Sequence, residues 1–314
     1  MTDKHQTAGH LAAIGTIFIW GTTYVSTKVL LGSFTPIEIL FSRFLIGYIA
    51  LLLIYPHQLK TKNFKEELLF MCAGLCGVTL YFLFENIALT YTLASNVGII
   101  ISIAPLLTAV LAHFLLHGER LQPRFFIGFT IAITGIILIG FNGSFILKLN
   151  PLGDLLATLA AVIWAVYCVL MRKISVLNYN TIACTRRAFF YGLIFMVPTL
   201  FFFKFQLDFT RFHDIGNLLN ILFLGLGASA LCFVSWNWAV GVLGVVKTSF
   251  YIYAVPVITI VSAAIILHEE LTPIAYGGAL LTLGGLFISE RKAPLITEQE
   301  EIVLEIQNTD DTNL

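Results

Sequence analysis

In this chain of 314 residues only 11% are charged, 58% are hydrophobic, and the formal net charge is zero. A soluble domain of this size carries about 25% charged residues, so the composition excludes one and points to an integral membrane protein. The net charge itself says little, because charge is confined to the loops and the tail, and no nucleic-acid partner is expected.

Apolar runs of about 18–22 residues recur along the whole chain, the length that crosses roughly 30 Å of hydrocarbon at 1.5 Å per residue. Ten spans are predicted, at about 10–30, 37–55, 67–89, 95–116, 124–141, 152–171, 181–203, 215–238, 245–267 and 273–290. Breaks fall at Gly32-Ser33, Pro56-His57, Pro123, Asn142-Gly143, Asn150-Pro151 and Pro273, which are turn signals. Backbone in lipid must satisfy its own hydrogen bonds, so these runs are helices. Alternating ten-residue strands are absent, which excludes a β-barrel. The first run contains Trp20, follows one lysine, and reads as a retained span rather than a cleaved leader. Fold class is therefore expected to be all-α, with ten transmembrane helices.

Lysine and arginine set the orientation. With the N-terminus inside, Lys4, Lys60, Lys62, Lys65, Arg120, Arg124, Arg172, Lys173, Arg291 and Lys292 face the cytoplasm, against Lys148, Lys204 and Arg211 outside. Both termini are expected to be cytoplasmic. The segment 293–314 is acidic, with Glu298, Glu300, Glu301, Glu305, Asp310 and Asp311, and reads as a disordered cytoplasmic tail.

The chain is also written twice. Asn86 and Asn237, Ala88 and Ala239, Gly98 and Ser249, and Pro105 and Pro256 all lie 151 residues apart. Glu119-x-Leu121-x-Pro123 returns as Glu269-x-Leu271-x-Pro273 at 150, and Gly9, Trp20 and Lys28 return as Gly153, Trp164 and Arg172 at 144. This divides the chain into a five-helix repeat at 1–146 and a second at 147–292. Five is odd, so the second copy inserts upside down. Inverted repeats are an architecture of secondary transporters, with one central site exposed alternately to each side.

Ionisable groups inside spans cost roughly 2.5–3.5 kcal/mol at a helix centre and call for a partner or a cavity. Arg43, Glu85, His113, Arg186 and Arg187 qualify, while Lys28, Asp154 and Lys247 lie near span ends, where snorkelling explains them. Glu85 shares a helical face with Gly74, Val78, Tyr81, Ala88 and Thr92; the twin face holds Gly225, Ser229, Cys232, Trp236 and Ala239. A carboxylate opposite an indole suits an amphipathic solute carrying an amine; the plain alternative is an interfacial carboxylate paired with a loop cation. Thr16, Trp20, Thr23 and Thr27 form one stripe, echoed by Trp164 with Tyr167. The candidate substrate-binding set is Trp20, Tyr24, Arg43, Tyr81, Glu85, Asn86, Ser102, Trp164, Tyr167, Arg187, Trp236, Asn237, Tyr251 and Tyr253. Aromatic stripes also arise from ordinary packing or an interface belt.

Two charged gates are expected, Lys28 or Arg43 near Glu269 outside and Arg172 or Arg187 near Glu119 inside, with interfacial anchoring as the alternative. Pro105 and Pro256 at mid-span each remove a backbone hydrogen bond and are candidate hinges. Gly128, Gly135, Gly140, Gly277, Gly278, Gly284 and Gly285 read as helix–helix contacts and a candidate homodimer seam. The five cysteines sit in apolar runs and read as packing residues. No metal-ligand constellation, P-loop or other enzyme signature appears, and neither a cofactor nor a metal is expected.

Two halves of five spans, the proline-centred fourth and ninth spans, and the HGERLQP and HEELTP loops that follow them resemble the EamA-type branch of the drug/metabolite transporter superfamily. The resemblance covers about residues 10–290 and rests on Trp20, Arg43, Asn86, Pro105, Glu119, Trp164, Asn237, Pro256 and Glu269. It implies ten helices, a cavity between inverted halves, and a bacterial plasma (inner) membrane location. It also implies transport, often efflux, of amino acids or related small metabolites. The leading expectation is a secondary transporter that moves a small polar metabolite, an amino acid or derivative, by alternating access. An importer or exchanger of a nucleotide-like or phosphorylated metabolite, using Arg43, Arg187 and Lys247, stays open, as does a membrane enzyme or scaffold with a lipid substrate. The expected partners are a small-molecule metabolite and the lipid bilayer.

Overall fold

The computed structural model describes residues 3–91, 94–116, 123–141, 150–203, 205–206, 208–267 and 272–290. Among them all regular structure is helical. In chain order the helices are α1 (Asp3–Leu30), α2 (Pro36–Ile54), α3 (Phe64–Tyr91), α4 (Ala94–Ile101), α5 (Ala104–Leu115), α6 (Pro123–Phe141), α7 (Pro151–Ser175), α8 (Thr181–Phe202), α9 (Ile215–Leu243), α10 (Val245–Phe250), α11 (Val255–Leu267) and α12 (Pro273–Glu290). Short 3-10 turns stand at Phe209–His213 and Tyr251–Ala254. Among the described residues five segments are long and apolar enough to cross a membrane: α2, α3, α7, α9, and the run from Val245 to Ile266. Large apolar side chains also point outward, such as Phe201 at 82% and Leu280 at 74% exposure, a surface that suits lipid contact.

Local chemistry starts these helices where the turn signals fall. Thr35 and Glu38 cap each other's backbone N–H ahead of α2, with Pro36 in its first turn, a capping box worth about 1 kcal/mol. Asn63, Asn150, Asn180 and Asp214 cap α3, α7, α8 and α9 by accepting from first-turn N–H groups, without the reciprocal bond. Gly244 separates α9 from α10 at φ 87°, a left-handed conformation that glycine adopts without a Cβ penalty.

Contacts sort the helix termini into two ends of the bundle. At the Glu67 end, the Arg187 Nη2 donates to Glu67 at 2.5 Å and Tyr191 donates to the same oxygen. Tyr179 donates to Glu66 at 2.7 Å, and a Cβ on Gly9 would touch Leu243. At the Glu38 end, Arg211 donates to Glu38 at 2.9 Å and Ser26 donates to Asn220 at 2.7 Å. The Glu38 carboxylate raises the Arg211 pKa above its ordinary value, and hydrogen bonds from Thr210 hold Asp208 below its own. α1 and α3 begin at the Glu67 end, as does α8, whereas α2, α7 and α9 begin at the other.

Glycines carry the closest approaches, as expected where apolar burial gives helices no reason to associate in lipid. A Cβ on Gly135 would lie 2.5 Å from the Gly278 carbonyl, and one on Gly285 would lie 2.5 Å from the Gly128 carbonyl. These four glycines are thus taken up by contact between α6 and α12 inside the chain. Gly277 and Gly284 have nothing within 4 Å. Gly47 of α2 meets Gly225 of α9, and Gly74 of α3 meets Gly192 of α8.

α3 and α9 each carry a π-helical stretch, Leu75–Leu80 and Phe223–Leu231. Each redirects the faces that follow it. Gly74 and Val78 pack on Gly192 of α8, while Tyr81 and Glu85, just beyond the π turn, face the bundle interior. The single face expected for these four residues is therefore split, because a π turn rotates the helix out of its 3.6-residue register.

Candidate substrate cavity

An open-sided space of about 550 Å³, counted to its mouth, lies between α1, α2, α3, α4, α7 and the Tyr251–Ala254 turn. Only about 50 Å³ of it is free to a water-sized sphere, so the lining side chains stand close together in this conformation. Trp20, Thr23 and Tyr24 reach it from α1, Arg43 from α2, and Tyr81, Phe82 and Glu85 from α3. Gly98 and Ile101 come from α4, Ser102 from the α4–α5 break, Trp164 from α7, and Ile252 and Val255 from the far side.

The polar groups are fixed by neighbours. Arg43 is only 3% exposed; its Nε donates to Ser229 at 3.0 Å, and its guanidinium lies 4.5 Å from the centre of the Phe82 ring. That stacking and hydrogen bonding offset the cost of an arginine in an apolar bundle. Glu85 lines the cavity together with Arg43, Tyr24 and Tyr81, within electrostatic range of all three. Trp20, Trp164 and Trp236 meet edge-on or tilted, with centroids 5.1 to 6.3 Å apart. The Trp20 Nε1 donates at 2.9 Å to the Ala228 carbonyl in the π turn of α9, while the Trp164 Nε1 is buried without a protein acceptor. The site thus joins a carboxyl, a guanidinium and aromatic walls.

Of the residues expected from sequence, Trp20, Tyr24, Arg43, Tyr81, Glu85, Ser102 and Trp164 come together here. Trp236 and Tyr167 stand behind Trp20 and Trp164 as packed rings. The remainder lie elsewhere. Asn86 donates to the Pro36 carbonyl at 3.3 Å, and Asn237 hydrogen-bonds Tyr167 and Thr185. Arg187 is held by Glu67, outside the cavity, and Arg186 donates to the backbone carbonyls of Tyr55 and His57. Tyr251 bonds His10 at 2.6 Å, and Tyr253 stacks on Phe250 toward α6. Ile252, between the two tyrosines, is the residue that reaches the cavity. His113 is exposed beside Phe114.

Lys28 is exposed in the last turn of α1. Arg172 donates to the Gly241 carbonyl at 2.9 Å, where a cation complements the C-terminal end of α9. Glu119 and Glu269 lie outside the described residues, so the two expected gates have only one partner each in view. Pro105 and Pro256 stand in the first turns of α5 and α11, positions where the missing N–H costs least. Each follows an interruption of its segment, the Ser102–Ile103 break and the Tyr251–Ala254 turn. Sequence reasoning missed Phe82, Ile101, Ile252 and Val255, apolar residues with no signal beyond that of packing.

Comparison with known proteins matches this architecture. The model of the EamA-like transporter family fits twice, over residues 7–141 and 151–290. An uncharacterized transporter of Archaeoglobus fulgidus is 28% identical over 287 residues, covering 90% of this chain and 97% of that one. A probable terminal-alkyne amino-acid exporter of Streptantibioticus cattleyicolor is 25% identical over 282 residues, covering 90% and 93%. A solved structure titled "Crystal structure of protein" superposes with a TM-score of 0.72 at 21% identity, covering 90% of this chain and 96% of the other, a likeness of fold. The apolar helices and these matches make the protein a multi-pass membrane protein. With nearly its whole length matched, the chain belongs to the EamA-like transporter family, whose members are transporters and not enzymes.

Proposed function

We propose that the protein is a secondary transporter of small zwitterionic metabolites, amino acids or close derivatives, moved by alternating access as efflux or exchange. The observation that carries this reading is one carboxyl, Glu85, and one guanidinium, Arg43, lining a single aromatic-walled cavity. The pair offers an acceptor for an ammonium and a donor fork for a carboxylate, while Trp20, Trp164 and Phe82 receive an apolar side chain. The name of the Streptantibioticus relative, an amino-acid exporter, supports the same class. A phosphorylated or nucleotide-like solute fits less well, because Arg43 is the one cation among the described cavity residues and Arg187 is engaged by Glu67.

The fuller architecture belongs to this proposal: ten spans, arranged as inverted repeats at 1–146 and 147–292, in a bacterial inner membrane with both termini cytoplasmic. The double family match supports it, as do the opposed directions of α1 and α7, α2 and α8, and α3 and α9. The reciprocal pairing of Gly128 with Gly285 and Gly135 with Gly278 is the pattern of a two-fold interface between positions 150 residues apart. The outward glycines Gly277 and Gly284 remain the candidate homodimer seam. The Glu67 end is the cytoplasmic one in this orientation.

Counterflow in proteoliposomes tests the function. Vesicles preloaded with unlabelled neutral amino acids are expected to take up labelled amino acid in a saturable, trans-stimulated manner. Entry of sugar phosphates or nucleotides in place of amino acids would overturn the substrate class; no counterflow with any solute would overturn the carrier.

A further inference from the structure

A second space, of about 270 Å³, opens at the Glu67 end between the last turns of α7 and α9 and the start of α8. Ser175, Asn178, Thr181 and Asn237 line it with hydroxyls and amides, and no charged side chain faces it among the described residues. It does not merge with the central cavity. Between them stands Tyr167, 1% exposed. Its ring lies 5.2 Å from Trp164, which lines the cavity, and its hydroxyl donates at 2.9 Å to Asn237, which lines the second space. Asn237 in turn donates to Thr185 at 3.0 Å.

The repeat shows why the central cavity does not continue into the second space. Positions 144 apart place Thr23 opposite Tyr167, and positions 151 apart place Glu85 opposite Trp236. Where the first half leaves room with a threonine and a carboxyl, the second fills it with a phenol and an indole. The two asparagines differ as well. Asn86 donates to the Pro36 carbonyl at the start of α2, whereas Asn237 accepts from Tyr167 and donates to Thr185.

We propose that this second space is a vestibule and entry site for the same zwitterionic solute on the cytoplasmic side, separated from the central cavity by Tyr167 as a septum. The proposal rests on the transport reading and orientation above. The vestibule recognises its solute by neutral hydrogen bonding, and the solute reaches Glu85 and Arg43 only after the Tyr167 ring leaves its seat against Gly77. Tyr167 is a positioning residue, held by Asn237.

Site-directed labelling of the full-length chain, with the native cysteines replaced and the orientation fixed in vesicles, tests this. A Cβ on Gly241 meets Ser175 at an ordinary 3.4 Å, so Gly241→Cys is tolerated on the vestibule wall. A charged thiosulfonate applied at the Glu67 end is expected to cut exchange at least tenfold in Gly241→Cys, and saturating amino acid on that side is expected to slow the labelling severalfold. Exchange unaffected by full labelling would overturn the entry site. In the second arm, Thr23→Cys in the central cavity is expected to label poorly from the Glu67 end and at least tenfold faster once Tyr167→Ala is added; Tyr167→Phe, which keeps the ring, supplies a smaller rise and guards against misfolding. An unchanged rate in both would overturn the septum. If the parent protein shows no counterflow but Thr23→Cys labelling responds to Tyr167, the septum stands and the transport reading fails.

Discussion

Glu85→Gln and Arg43→Gln are each expected to reduce trans-stimulated exchange by roughly a hundredfold, the effect of about 3 kcal/mol when one member of a desolvated charged pair is lost. Either single change also leaves the other group without its charged neighbour in an apolar wall, so each is expected to melt below the parent. The double variant removes both charges together. It is expected to melt nearer the parent than either single variant and to remain inactive in exchange. Melting in detergent and counterflow on the same preparations check this. Recovery of exchange in the double variant would remove the pair from the binding site, whereas additive losses of stability would mean that the two groups do not interact.

Gly135→Leu is the substitution expected to damage the fold most directly. A Cβ there would sit 2.5 Å from both the Gly278 carbonyl and the Thr282 nitrogen, groups of a helix backbone that cannot swing aside. Overpacking of this kind costs about 3 kcal/mol or more, roughly 6–12 °C in a melting midpoint. Gly15→Leu, where nothing lies within 4 Å, is the control and is expected to melt with the parent. Equal midpoints for the two variants would show that α6 and α12 are not in backbone contact.

Sequence reasoning reached the helices readily, because apolar runs, prolines and Asn or Asp caps are local signals. It also reached the polar core of the cavity, since Glu85 and Arg43 are conspicuous in apolar spans. Helical periodicity failed where the helix stopped being regular. Periodicity groups Gly74 and Val78 with Tyr81 and Glu85, yet the π turn at Leu75–Leu80 sends the first pair to α8 and the second to the cavity. A similar local break selects Ile252 over Tyr251 and Tyr253, because the chain tightens into a 3-10 turn there. Arg187 looked like a binding residue because its partner, Glu67, stands 120 positions earlier at a helix start that reads as solvent-exposed. Ring packing left no sequence mark that separates Trp236 as support from Trp164 as wall. These are long-range or geometric facts, which spacing alone does not carry.

The meeting of three indoles has an optical consequence. The chain contains four tryptophans; Trp20, Trp164 and Trp236 meet at the cavity, and Trp238 lines the second space. Indole emission from this protein therefore originates at the two places where a solute is proposed to sit, with no remote tryptophan to dilute the signal. Titrating a bound amino acid into unlabelled protein should shift or quench that emission with a saturating profile, and Trp238→Phe should leave the component from the cavity. The molecule carries its own light source at the point of interest.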